Sequence, residues 1–305
     1  MAAQKVIIDT DPATGYGFRD VDDGLAMLYL LALPDEFDVV GVTAVHGNAS
    51  LAKTYPKALE VVEVSGREDI PVLSGASSRK LLGAKTAASE FLAGAVRSNP
   101  GEITVLALGP LTNVATAGLI DGDFYESVRR VVIMGGTFTP GPGMPLSASF
   151  EFNFSKDPAA SGLVLSAPCE KVLIPANLCR QSVFTRDDLA KLREMHSRVS
   201  EYLAERITPW MRLNEAVLMR GAGGFVPWDV VAAVYLRHPE LFGDVEEKPL
   251  VLRGHRYLGG GLEEAQGSSA RPVIFPNRLS GKEVVADFIG AISGFSDSSR
   301  ARRAT

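Results

Sequence analysis

KVIIDTDPATGYGFRDVDDGLAMLYLLAL, residues 5–33, joins a short apolar run to a longer one through an acidic loop containing glycines. Val6, Ile7 and Ile8 are β-branched and end on Asp9, the signature of a short buried strand. In VDDGLAMLYLLAL the apolar residues recur with helical spacing, and Asp22 and Asp23 fall in the first turn, where a carboxylate is favoured by the positive end of the helix. A buried strand that feeds a helix is half of a parallel βαβ unit.

The same alternation continues outward. VVGVTAV at 39–45 reads as a second buried strand ending at HGN, and LAKTYPKALEVVEVSG as a helix. IPVLSG, ITVLALG, VRRVVIMGG and CEKVLIPANL read as further strands, with LTNVATAGLI a helix between two of them. DDLAKLREMHSRVSEYLAERITPWM is one long amphipathic helix or two, and VPWDVVAAVYL carries Trp228 and Asp229 into a helix start. LRGHRYLGGGLEEAQGSSARPVIF is less regular and allows an antiparallel extension. The predicted class is α/β, an open, doubly wound, mostly parallel sheet flanked by helices. The predicted organisation is a single domain over 1–295, with 187–215 as a helical cap and 296–305 as a flexible tail.

Composition narrows the function. The chain has 305 residues, with 31 Lys and Arg against 36 Asp and Glu and no basic block. That disfavours nucleic acid as a partner. No apolar run reaches the length of a membrane span. The two cysteines, Cys169 and Cys179, form no metal-type pair and no disulfide framework, and no secretory leader precedes the first strand. A reducing cytoplasm is the expected compartment.

The chemistry-bearing residues fall after strands. Asp9 and Asp11 follow the first, Asn48 the second, Asn113 the ITVLALG strand, and Met134, Gly135 and Gly136 the next. In open α/β sheets ligands collect beyond the carboxyl ends of the strands. Asp9, Asp11, Asp22 and Asp23 place four carboxylates within fifteen positions. Carboxylates brought together repel unless they are protonated or bridged by a cation, and hard oxygen ligands suit Ca²⁺, or with less preference Mg²⁺. An isolated Asp-Asp pair is more often a solvated helix cap. Four after a buried strand point to a metal. The spacing is not that of an EF-hand loop. DTD after a strand also resembles the haloacid-dehalogenase phosphatases, in which the first aspartate is the nucleophile.

DTDP at 9–12 with VDDGLAM at 21–27 resembles the signature of the inosine-uridine-preferring nucleoside hydrolase family. VTAVHGN at 42–48, LALGPLTNVA at 106–115, VVIMGG at 131–136, EFN at 151–153 with DPAA at 157–160, and WD at 228–229 follow in the family's order. The resemblance implies metal-dependent hydrolysis of the N-glycosidic bond of a ribonucleoside to ribose and free base. It implies Asp11 as metal ligand and general base, and Asp22, Asp23, Asp229 and the Leu108 carbonyl as further metal ligands. Asn48, Met134, Glu151 and Asn153 would contact ribose, and Asp9 and His46 would stand behind the first ring of ligands. It also implies a homodimer or homotetramer.

Two departures from the family pattern bear on the substrate. ATGYGFRDV between Pro12 and Asp22 lengthens a loop that is very short in the family, and it adds Tyr16, Phe18, Arg19 and Asp20. Trp228 stands where many members carry a histidine that protonates the leaving base. Tryptophan cannot act as a general acid but can stack on a base. This resembles the purine-preferring, inosine-adenosine-guanosine branch, so Trp228 is expected to serve binding and catalysis together, with Trp210 a candidate second face. The alternatives are hydrolysis of a modified ribosyl compound, a phosphatase acting from Asp9, and a nucleoside-binding protein without turnover.

Overall fold

The computed structural model describes residues 2–17, 19–138, 150–218, 223–253, 259–266 and 271–301. Phe18, most of the 137–149 loop and residues 302–305 lie outside these. The described strands are β1 (Gln4–Thr10), β2 (Phe37–Ala44), β3 (Val72–Ser74), β4 (Thr104–Ala107), β5 (Arg130–Met134), β6 (Thr137–Phe138), β7 (Lys171–Ile174), β8 (Phe184–Thr185), β9 (Gly224–Phe225), β10 (Phe242–Leu252), β11 (Gly261–Glu264) and β12 (Pro272–Leu279). Ten of them form one sheet in the order β3-β2-β1-β4-β5-β7-β12-β10-β11-β6, and β8 pairs with β9 separately. Pairing is parallel from β3 through β7 to β12, and β10 is antiparallel to both β12 and β11. The antiparallel strand is therefore β10, and the irregular segment after residue 252 supplies β11 and β12 on either side of it.

Strand alternation explains why helices cover both faces. Val6, Ile8, Leu106, Val132, Met134, Val172 and Ile174 belong to one hydrophobic core, and their neighbours Ile7, Val105, Ala107, Val131, Ile133 and Leu173 to the other. Side chains two apart share a face, so strands apolar at every position need cover on both sides. The first core is closed by the helices Asp22–Leu31, Leu51–Ser65, Arg186–Glu194, Arg198–Leu213 and Trp228–Tyr235, and the second by Ala87–Ser98, Thr112–Ile120 and Pro158–Ser166.

The expected long amphipathic segment is two helices, broken where His196 takes a positive φ of 51° and Ser197 caps the second with a reciprocal bond to Ser200. Leu189, Leu192, Leu203, Ile207 and Trp210 of this segment pack into the first core. The last helix is Gly281–Ala301 and runs into the 296–305 stretch. Among the described residues no helix is long and apolar enough to cross a membrane.

The chain runs from β1 to β2 and β3 in one direction, then returns to β4 and β5 on the other side of β1. That reversal opens a crevice beyond the carboxyl ends of β1 and β4, the point at which ligands bind in such sheets. Ile8, fully buried one residue before Asp9, anchors this edge. Ile8→Ala is expected to destabilise the fold by about 2–5 kcal/mol. Urea denaturation checks this, and the midpoint should fall with the m-value unchanged.

Candidate active site

Three elements carry the aspartates to one place. Asp11 follows β1, Asp22 and Asp23 open the helix after the inserted loop, and Asp229 lies in the first turn of Trp228–Tyr235. Asp22, Asp23 and Asp229 each offer an oxygen within 4.8 Å of the others, and all three are buried. The Asp229 amide donates to Asp22 Oδ2 at 3.2 Å across 207 positions of sequence. Asp11 stands beside them: its amide donates to Asp23 Oδ1 at 3.0 Å, and its Oδ2 accepts from the Asn48 amide. The Asn48 side chain donates to Asp23 Oδ2 at 2.9 Å.

Space for Asp11 is made by two glycines. A Cβ on Gly47 would overlap Asp11 Oδ2, and one on Gly109 would lie 2.9 Å from Oδ1. Asp9 is held one layer behind, accepting from Thr43 at 2.6 Å and Asn113 at 2.8 Å. Asp9, Asp11 and Asp23 are all fully buried, and of the aspartates named above Asp22 and Asp229 are the ones that line the cavity.

The residues present fit a divalent cation. Asp9 Oδ2 and Asp11 Oδ1 are buried without a hydrogen-bond partner. None of the ion pairs among the described residues involves these aspartates. Burial, then mutual repulsion, holds Asp11, Asp22 and Asp229 well above the usual carboxylate range. Burial pushes Asp9 up to about 7 against the hydrogen bonds from Thr43 and Asn113, and Asp20 up to about 6. A buried, all-oxygen donor set with no protein cation is a site for a hard metal ion, and Ca²⁺ tolerates its irregular shell better than Mg²⁺, which demands a near-ideal octahedron. Ca²⁺ is the cofactor this cluster suits.

A cavity of about 390 Å³ opens over the cluster, and its walls include Asp22, Asp229, Asn48, Leu108, Met134, Glu151 and Asn153. Glu151 caps the Phe152–Lys156 helix and accepts from the amides of Asn153 (2.7 Å), Phe154 (2.8 Å) and Gly136 (2.8 Å). Asn153 donates to the Leu108 carbonyl at 2.7 Å. Trp228 and Trp210 both line the cavity, and His46 does not: its ring is turned to the Ala76 carbonyl at 3.3 Å. Of the inserted loop, Arg19 and Asp20 reach the cavity, and Arg19 donates to the Asn48 carbonyl. Tyr16 turns away, with Lys53 and Lys57 over its ring at 5.6 and 4.8 Å.

The sequence reading missed Arg180, Phe150 and Phe152, which also line the cavity. Arg180 lies just past β7, and that position beyond a strand end was the signal available for it.

Residues 6–272 match the sequence profile described as inosine-uridine preferring nucleoside hydrolase. The chain belongs to this family. It is 31% identical over 307 residues to the probable uridine nucleosidase 2 of Arabidopsis thaliana, covering 89% of this chain and 91% of that protein. A protein of the same name from Oryza sativa subsp. japonica is 31% identical over 294 residues, covering 86% and 83%. A purine-preferring ribonucleoside hydrolase from Gardnerella vaginalis superposes with a TM-score of 0.83 at 20% identity, covering 96% of this chain and 99% of that one. A plant nucleoside hydrolase superposes at 0.81 and 24%, covering 95% and 99%. These likenesses show a shared fold. This nucleoside hydrolase is thus an enzyme that cleaves the N-glycosidic bond of ribonucleosides.

Proton competition gives the first test of the site. A carboxyl whose folded value is raised stabilises the fold in acid and loses that contribution as pH rises through the folded value. For Asp9 the window runs from its ordinary 3.8 to about 7. Ca²⁺ needs the ionised forms, so its stabilisation should grow as protons leave. The Ca²⁺-induced rise in Tm over chelated protein is expected to increase from pH 5 to pH 8. A shift absent at pH 8, or larger at pH 5, contradicts a cation site here. Gly47→Ala is expected to weaken Ca²⁺ at least about tenfold by displacing Asp11, read by calcium titration calorimetry.

Proposed function

We propose that this hydrolase prefers purine ribonucleosides, with Asp11 as the general base and Trp228 stacked on the leaving base. The observation that carries this reading is the cavity wall. Two indoles, Trp228 and Trp210, line it, and no histidine does among the described residues. An indole face offers a large stacking surface, which a bicyclic base uses more fully than a monocyclic one.

Asp22, Asp23, Asp229, Asp11 and the Leu108 carbonyl would hold Ca²⁺. When bound, the ion supplies a fixed charge that gathers the ribose diol and makes water easier to deprotonate. Asp11 Oδ1, buried and without a partner, would accept the proton of the attacking water. Asn48, Glu151, Asn153 and Met134 would line the sugar, and the ring of carboxylates would stabilise the positive charge that develops on the ribosyl group as the bond lengthens. Asp9, pinned by Thr43 and Asn113, and His46, bonded to Ala76, support this arrangement from behind.

One observation favours a second reading. The curated relatives in Arabidopsis and Oryza are named as probable uridine nucleosidases. A panel of inosine, guanosine, adenosine, uridine and cytidine separates the two by kcat/KM, with ribose release as the readout. Inosine or guanosine is expected to exceed uridine. Uridine as the best substrate would replace the purine reading with the pyrimidine one. Asp11→Asn is expected to lower kcat by about 10²–10⁴-fold and to shrink, without abolishing, the Ca²⁺-dependent rise in Tm, since Asp22, Asp23 and Asp229 remain. Nucleoside binding without turnover in the wild type would mark a binding protein.

The two cysteines are free and buried, which supports a reducing cytoplasm as its compartment. A homodimer or homotetramer is the assembly we propose, on the family resemblance, and light scattering would test it.

A further inference from the structure

The aspartates gather beyond the carboxyl ends of the parallel strands, and the amino end of β7 holds a charge of the opposite sign. Lys171 opens that strand and is 1% exposed. Its ammonium donates to the carbonyl of Ala167, which ends the Pro158–Ser166 helix, and to that of Cys169 at 3.1 Å. Capping a helix end accounts for those two bonds. It leaves one of the three N–H donors over, and both acceptors are neutral. A buried charge is ordinarily paired with an opposite one. No ion pair among the described residues involves Lys171. Burial pushes the neighbouring Cys169 thiol up to about 11, so the sulfur brings no negative charge at neutral pH. Burial also holds the ammonium below its ordinary range; Cys169 works against that, and the charge of Arg271 adds to it. Arg271 is exposed and forms no ion pair among the described residues either.

The two cations line one cavity of about 460 Å³, together with Glu170 and Glu247, and it shares no lining residue with the active-site cavity. That volume falls in the range of small-molecule sites, roughly 300–1,000 Å³. Lys171 is the buried member of the set, and Glu170 and Glu247 are exposed. We propose that this cavity binds a small phosphomonoester, with its phosphate between Lys171 and Arg271 and the hydroxyls of its organic part toward Glu170 and Glu247. A phosphate dianion matches two positive charges, and an ammonium and a planar guanidinium fork both take its oxygens. A monocarboxylate would leave one of the two cations unmatched. The exposed carboxylates repel phosphate and accept hydrogen bonds from hydroxyls, which sets the direction in which the ligand lies. The aspartate cluster takes no part, and the proposal stands whichever base the enzyme prefers.

Calorimetric titration of the Ca²⁺-loaded enzyme with glycerol 3-phosphate, acetate and glycerol tests the site. Glycerol 3-phosphate is expected to bind, acetate to bind at least about tenfold more weakly, and glycerol to give no signal. Lys171→Met and Arg271→Gln are each expected to weaken glycerol 3-phosphate by about 10–100-fold. In both variants kcat/KM for ribose release should stay within about twofold of wild type, because the two cavities are separate. Arg271 is exposed, so Arg271→Gln carries the test even where Lys171→Met disturbs the core. Binding undiminished in Arg271→Gln would place the probe elsewhere, on the Ca²⁺ centre for example, and would overturn the proposal. Absence of binding to the wild type would overturn it too. Acetate binding as tightly as glycerol 3-phosphate would overturn the assignment of phosphate.

Discussion

Mutual repulsion among buried carboxylates is the constraint around which this protein is arranged. Asp11, Asp22, Asp23 and Asp229 are withdrawn from water at the ends of three elements, and none is matched by a basic side chain within ion-pair distance among the described residues. Such a cluster costs stability when its charges stand alone and becomes an asset only with a cation among them. The fold supplies the rigidity that holds the groups together against that repulsion. The strand order reverses beside β1, two apolar cores clamp the sheet from opposite faces, and Gly47 and Gly109 give up their side chains so that Asp11 can lie flat against the β2 and β4 loops.

Much of this was legible in the chain. Runs such as VII, ITVLA and VVIM are apolar at consecutive positions, which only a strand covered on both faces tolerates, and they fell where the strands are. The acidic pair at 22–23 and the later WD announced themselves because charged residues at the start of apolar helices need a reason. The antiparallel strand Phe242–Leu252 went unread because charged residues interrupt its apolar pattern, and the extension was expected just after it. The boundary between the helices ending at Glu194 and starting at Arg198 was equally ambiguous, since amphipathic spacing continues through a break that a single left-handed residue makes.

The partners were not legible, and the reason is geometric. Periodicity reports which face a residue takes but not which residue meets it across the sheet. Asp9 receives Asn113 from 104 positions away, and the Leu108 carbonyl is met by Asn153 from 45. Tyr16 of the inserted loop offers an aromatic ring as Trp228 does, yet it lies beneath the lysines of the neighbouring helix. Arg180 was missed, because its relation to Trp228 joins two distant segments that no local pattern links. Similarity to the family located the rim residues without showing that Glu151 spends its carboxylate on three amides.

The cavity is graded in depth. Its floor is closed by aspartates with almost no exposed surface, and its mouth is framed by Arg19 and Phe150, which stand well into solvent. A molecule that reaches the aspartates therefore meets buried, charge-dense groups at one end and solvent-exposed side chains at the other.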